Sequence, residues 1–164
     1  MLSRWWQNLT TTHFALRRHF PPATLSAIDA AITASERDHR AEIRCAVETA
    51  LPVGELARGV TSATRAAGVF SGLGVWDTAE NNGVLLYVVL AERRIEIVAD
   101  RGFDGRVAPT EWQAICHEME AAFRAARYEP GTLSALERIS VLARRHFPAD
   151  GGDRNELPDR TVLL

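Results

Sequence analysis

The stretch Gly83-Val84-Leu85-Leu86-Tyr87-Val88-Val89-Leu90-Ala91 decides how the rest of the chain is read. It is an almost unbroken apolar run, rich in β-branched residues and too short for a buried helix. Such a run marks a strand covered on both faces, at the centre of a sheet. After Glu92-Arg93-Arg94 the pattern resumes as Ile95-Glu96-Ile97-Val98-Ala99-Asp100 with partial alternation, which predicts an antiparallel hairpin. Upstream, Glu42-Ile43-Arg44-Cys45-Ala46-Val47-Glu48 alternates with period two and reads as a half-buried strand.

Helices fill the intervals. After Pro21-Pro22, the residues Leu25, Ile28, Ala31, Ile32 and Ser35 share one helical face. Val60, Ala63, Thr64, Ala67 and Phe70 suggest a second face, ending near Gly72 and Gly74. Thr110-Glu111-Trp112-Gln113 has the form of a capping box opening a helix whose apolar side holds Trp112, Ile115, Cys116, Met119, Ala122, Phe123 and Ala126. A last helix carries Leu133, Leu136, Ile139, Ala143 and Phe147 and stops at Pro148. The expected class is α/β: a single-domain α/β/α sandwich with a small central mixed sheet flanked by about four helices. Residues 1–20 read as an N-terminal arm, 21–148 as the domain, and 149–164, polar and rich in Gly, Asp and Arg, as a disordered tail.

Composition narrows the function classes. The chain has 164 residues, 46% of them hydrophobic and 24% charged, and a formal charge of −2, the balance of one globular domain rather than a nucleic-acid binder. All 19 basic residues counted as Lys and Arg are Arg, so Schiff-base lysines, lysine nucleophiles and a P-loop lysine are excluded. Cys45 and Cys116 lie in apolar segments, with neither CxxC spacing nor a disulfide pattern. No signal peptide is evident and the longest apolar run, Val84–Ala91, cannot span a bilayer, so a cytoplasmic location, peripheral to the inner membrane at most, is expected. The arm mixes Trp5, Trp6, Leu9, Phe14, Leu16 and Phe20 with Arg4, Arg17 and Arg18, and no acidic residue precedes Asp29. Two readings follow: contact with an anionic membrane surface, or docking of the aromatics on the domain or on a second copy.

There is no G-x-S-x-G elbow, no G-x-G-x-x-G turn and no zinc-spaced Cys/His set. What remains is a concentration of oxygen-bearing side chains. Trp76-Asp77-Thr78-Ala79-Glu80-Asn81-Asn82 leads into the central strand, and Asp100-Arg101-Gly102-Phe103-Asp104-Gly105 leaves its hairpin partner. If the strands pair around Glu92–Arg94, then Asp77, Glu80, Asn81, Asn82 and Asp100 lie at one sheet edge. Gathered carboxylate and amide oxygens suit calcium or magnesium. The bland alternative is that these residues form Asx-turns and helix caps.

Val69-Phe70, Trp76-Asp77-Thr78, Asn81-Asn82-Gly83-Val84-Leu85-Leu86-Tyr87-Val88, Ile95-Glu96-Ile97-Val98-Ala99-Asp100-Arg101-Gly102 and Trp112 together resemble the TPM domain family, in particular its short bacterial members, over about Phe20 to Phe147. The resemblance implies an α/β/α sandwich and an acidic pocket at one sheet end, where some relatives bind calcium or another divalent ion. It also implies two activities of plant members: acid phosphatase activity and assistance in photosystem repair. The family's D/N-N-G-V-L element falls on Asn81-Asn82-Gly83-Val84-Leu85, and the segment after its hairpin on Ala99-Asp100-Arg101-Gly102. Asn81 stands where many members are acidic, and His19-Phe20-Pro21-Pro22-Ala23-Thr24-Leu25 replaces an early D-x-x-G-x-L element.

The leading expectation is a non-catalytic module that binds Ca2+ or Mg2+ through Asp77, Asn81, Asn82 and Asp100, with no organic cofactor. It would support a membrane-protein complex or envelope process, its partner a membrane-anchored or longer TPM-domain protein and not a nucleic acid. The first alternative is a metal-assisted phosphatase acting on phosphomonoesters, with Arg101 or Arg106 stabilising charge. The second is an interaction protein without a ligand, dimerising through Trp5, Trp6 and Phe14.

Overall fold

In the computed structural model, residues 2–11, 13–151 and 155–164 are described. Met1, and the part of the tail at 152–154, lie outside them. The chain runs α1 (Leu2–Thr10), α2 (His13–His19), α3 (Pro22–Ser35), β1 (Ile43–Glu48), α4 (Val53–Ala57), α5 (Ser62–Gly72), β2 (Val84–Val89), β3 (Arg94–Ala99), α6 (Pro109–Arg124), α7 (Tyr128–His146) and β4 (Val162–Leu163), with a 3-10 turn at Arg101–Phe103.

The sheet has strand order β3-β2-β1-β4. β2 pairs antiparallel with β3, from Val84 opposite Ala99 to Val89 opposite Arg94, which is the expected hairpin. It pairs in parallel with β1, from Ile43 opposite Val84 to Glu48 opposite Val89. All six residues of β1 and of β2 are buried. Their alternate side chains feed two cores. Ile43, Cys45, Val84, Leu86 and Val88 pack with Ile28 and Ile32 of α3, Ile115, Met119 and Phe123 of α6, and Leu136 and Ile139 of α7. Ala46, Leu85, Tyr87 and Val89 pack on the other face with Leu56 of α4 and Ala66 and Val69 of α5. The result is the α/β/α sandwich, with more helices than the four expected.

Two local readings need correction. In α5 the buried residues are Ser62, Ala66 and Val69, not the face drawn through Val60, Ala63, Thr64, Ala67 and Phe70. Small residues lie all around this helix, so polar anchors set its rotation. Arg65 donates from Nε and Nη2 to Glu48 at 2.9 and 2.8 Å, and the Ser62 hydroxyl donates to Glu96 at 2.5 Å. α6 opens one residue before Thr110, at Pro109, and the Glu111 carboxylate accepts the Ala108 N–H at 3.0 Å, so only half of the capping box forms. The last helix, α7, carries Leu133, Leu136, Ile139 and Ala143 as expected, and begins at Tyr128.

From Asn155 onward the tail also differs from its reading as disordered. The Glu42 carboxylate accepts the backbone N–H groups of Glu156 and Leu157, each at 3.0 Å, and Asp29 accepts both N–H and hydroxyl of Thr161 at 2.7 Å. These bonds lay β4 parallel against β1, with Val162 opposite Ala46. The arm is likewise structured: Leu16 and Phe20 enter the first core, and Trp5 packs against the second.

Two ionisable groups, the buried His39 and the half-buried Glu36, give the fold opposed pH responses. His39 is 0% exposed, and desolvation lowers its pKa from 6.5 to about 4. The unfolded chain therefore takes up a proton that the folded one refuses, and stability is lost as pH falls from 6.5 towards 4. Burial raises Glu36 to about 8, so its contribution runs the other way, fading as pH rises from 4.5 through 8. In urea titrations across this range, His39→Leu should remove an acid destabilisation of about 3 kcal/mol. Glu36→Gln should flatten the decline between pH 4.5 and 8.

Candidate functional site

The loop before β2 and the turn after β3 meet at one sheet end. Asp100 N–H donates to Gly83 O at 2.9 Å and Gly102 N–H to Asn81 O at 2.8 Å, extending the hairpin ladder past both strands. Neither glycine has room for a side chain: a Cβ on Gly102 would lie 2.4 Å from Asn81 O, and one on Gly83 1.9 Å from Val75 O. Asn81 adopts φ 54°, a left-handed conformation that asparagine tolerates better than most residues.

The four candidate ligands have different fates here. Asn82 is buried; its backbone N–H donates to the Thr78 hydroxyl at 3.0 Å, and its side-chain Nδ2 donates to Arg40 O, just ahead of β1. That donation fixes which way the amide faces, and its Oδ1 is left buried with no hydrogen-bond partner among the described residues. Asp100 caps the 3-10 turn, Oδ1 accepting the Arg101 N–H at 2.8 Å, while Oδ2 is buried and unpartnered. Asn81 Oδ1 accepts Arg101 Nε at 2.8 Å, so a guanidinium already sits on it. Asp77 is exposed, in a turn closed by its N–H on Gly74 O at 2.9 Å. Glu80 forms an ion pair with Arg40 at 3.2 Å. The structure thus links Asn81, Asp100 and Arg101, sets Asn82 beside them through the ladder, and leaves Asp77 in an exposed turn of its own. Among the described residues, no three His, Cys, Asp or Glu side chains are grouped to hold a metal.

Two features escaped the sequence reading. One is Arg101 as the partner of Asn81, which a search for oxygen donors passes over. The other is a buried polar cluster at the opposite end of the strands, where Tyr87 donates its hydroxyl to Glu48 and Arg65 bridges Glu48 and Glu55. Burial and the adjoining carboxylate push the Tyr87 phenol well above its ordinary range, so it stays protonated and holds Glu48 as a donor. Glu48 lies in a run that the period-two reading makes half-buried, with no signal that its carboxylate is held inside.

A mixed four-stranded sheet between helical layers, with a polar loop cluster at the start of its central strand, defines a small α/β sandwich domain. The TPM domain profile matches residues 17–142, and the chain belongs to that family. Its fold is similar to that of the BA42 protein of the psychrophilic bacterium Bizionia argentinensis, with a TM-score of 0.74 and 25% identity, covering 87% of this chain and 93% of that one. It is also similar to the N-terminal domain of a P. gingivalis protein (TM-score 0.58, 20% identity, 78% and 80% covered). A third similar structure is the N-terminal domain of the cg2496 protein of Corynebacterium glutamicum (TM-score 0.55, 15% identity, 74% and 72% covered). No curated protein matches the chain.

Gly102→Ala should drive its new methyl into Asn81 O and detach the loop from the turn. Overpacking of this kind costs roughly 1–3 kcal/mol, read as a lower urea midpoint. Gly105→Ala makes a useful contrast, because its cost comes from a φ of 69° and not from any neighbour within 4 Å.

Proposed function

We propose that this TPM domain is a non-catalytic module that binds a hard divalent cation, calcium or magnesium, at the 77–83 loop and the 100–102 turn. The observation that carries the reading is the pair of buried, unpartnered oxygens, Asn82 Oδ1 and Asp100 Oδ2. A buried acceptor without a donor is costly, and a cation relieves that cost where a protein group does not. Both oxygens are hard donors of the type that Ca2+ and Mg2+ prefer. Asp100 would supply the charge and Asn82 a neutral oxygen. Asn81 would join only when Arg101 releases its Oδ1, and Asp77 would add charge from its exposed turn.

With one central carboxylate and a guanidinium in competition, affinity should be weak, on the order of 10−4–10−3 M for calcium. Calorimetric titration of calcium and then magnesium into the metal-free protein tests this. Saturable binding that is lost in Asp100→Asn and strengthened in Arg101→Ala is the expected result. No heat and no rise in melting temperature at millimolar ion would overturn it and leave the cluster as turn chemistry. Metal-dependent hydrolysis of a generic phosphomonoester, lost in Asp100→Asn, would instead make the domain an enzyme. That outcome needs Arg101 or Arg106 near the phosphoryl group. Arg106 lies 5.2 Å from the centre of the Phe147 ring and donates to His146 O at 3.3 Å.

A further inference from the structure

Helix α1 is fastened to the domain by Trp5, which packs against the second core, and by two polar side chains. Arg4 donates from Nε to Glu92 and from Nη2 to Val60 O, both at 2.6 Å. One turn on, Asn8 is buried; its Nδ2 donates to Glu92 at 3.0 Å and its Oδ1 accepts the Leu51 N–H at 2.7 Å. A surface helix ordinarily buries its apolar side and gives its polar side to water. Here Trp6 is 65% exposed and Leu9 59%.

The next helix exposes a similar face. Leu16 is buried in the core with Phe20, while Phe14 is 74% exposed. Phe14, Arg17 and Arg18 stand at i, i+3 and i+4, so they share the helical side away from Leu16, and both arginines are exposed. Arg93, exposed at the β2–β3 turn, adds a positive charge close to His19. No acidic residue occurs in the chain before Asp29.

The patch is therefore apolar and aromatic, edged only by positive charge within the arm. A second copy of the chain is a poor cover for it. A two-fold contact would set the patch against itself and bring Arg17 and Arg18 of each copy together with no carboxylate from either arm. An anionic lipid surface answers both features, since tryptophan, phenylalanine and leucine enter the boundary between headgroups and acyl chains while guanidinium groups meet lipid phosphates. We propose that Trp6, Leu9, Phe14, Arg17 and Arg18 form a docking face for an anionic membrane, with the sandwich held on the aqueous side. This inference is independent of the cation reading, because the two sites share no residue.

Co-sedimentation of the full chain with vesicles tests it, comparing pure phosphatidylcholine with phosphatidylcholine containing one quarter phosphatidylglycerol. The wild type should bind the anionic vesicles, release at high salt, and ignore the neutral ones. Arg17→Ser with Arg18→Ser should weaken binding roughly fivefold per arginine, at about 1 kcal/mol each near the surface. Trp6→Ser with Leu9→Ser and Phe14→Ser should abolish it. Melting temperatures should stay unchanged, since all five side chains are exposed. Absence of binding to anionic vesicles, or equal binding by wild type and both variants, overturns the proposal. So does a dimer in sedimentation equilibrium that is lost in the Trp6, Leu9 and Phe14 variant while vesicle binding is absent.

Discussion

Everything in this fold answers to one constraint: β2 has no face turned to water. Its six residues bury side chains in both directions, so helices must cover the sheet on both sides. The parallel partner β1 needs a crossover, and the segment from α4 through α5 provides it on one face. The hairpin partner β3 needs only a turn, which leaves α6 and α7 to close the other face with α3. A polar substitution in β2 would have no direction in which to find solvent.

The same constraint explains which polar groups the interior keeps. Glu48, at the end of β1, cannot reach bulk water and is satisfied by Arg65 and Tyr87 together. Removing either donor would strand part of a buried carboxylate, which costs more than an exposed ion pair is worth. At the opposite end of the strands the satisfaction is incomplete, since Asn82 and Asp100 each retain an oxygen without a partner. Glu48 itself is satisfied, although Thr49 Oγ1 and Glu55 Oε2 beside it are also buried without a partner among the described residues.

Much of this was legible in residue order because it depends on near neighbours. Gly83–Ala91 and Ile95–Asp100 are separated by a short turn, so pairing and register followed from counting, and Asn82 and Asp100 fell at the same end. The rotation of α5 was not legible, because alanine, threonine and glycine on several sides give no unique apolar stripe and Glu48 and Glu96 decide it from other strands. The tail was hidden for a similar reason. Its composition is that of a solvated segment, and what orders it are the carboxylates of Asp29 and Glu42, more than a hundred positions away. In the candidate site, the collection of oxygens was visible, but not that Arg101 takes the one on Asn81 or that Asn82 turns its amide nitrogen to Arg40.

The strand β4 has a consequence for how the protein is made. It is only Val162–Leu163, yet it covers the outer edge of β1, where Leu164 N–H also donates to Val47 O at 3.0 Å. Closing the long loop from Glu48 to Val162 costs only about 0.6 kcal/mol more than closing one half as long, so the final state suffers little. Time is another matter. At roughly 5–20 residues per second, a ribosome that has finished β1 needs on the order of ten seconds to reach its edge strand. During that interval an apolar strand stands with one row of backbone groups unpaired, open to the edge strand of any neighbouring nascent chain.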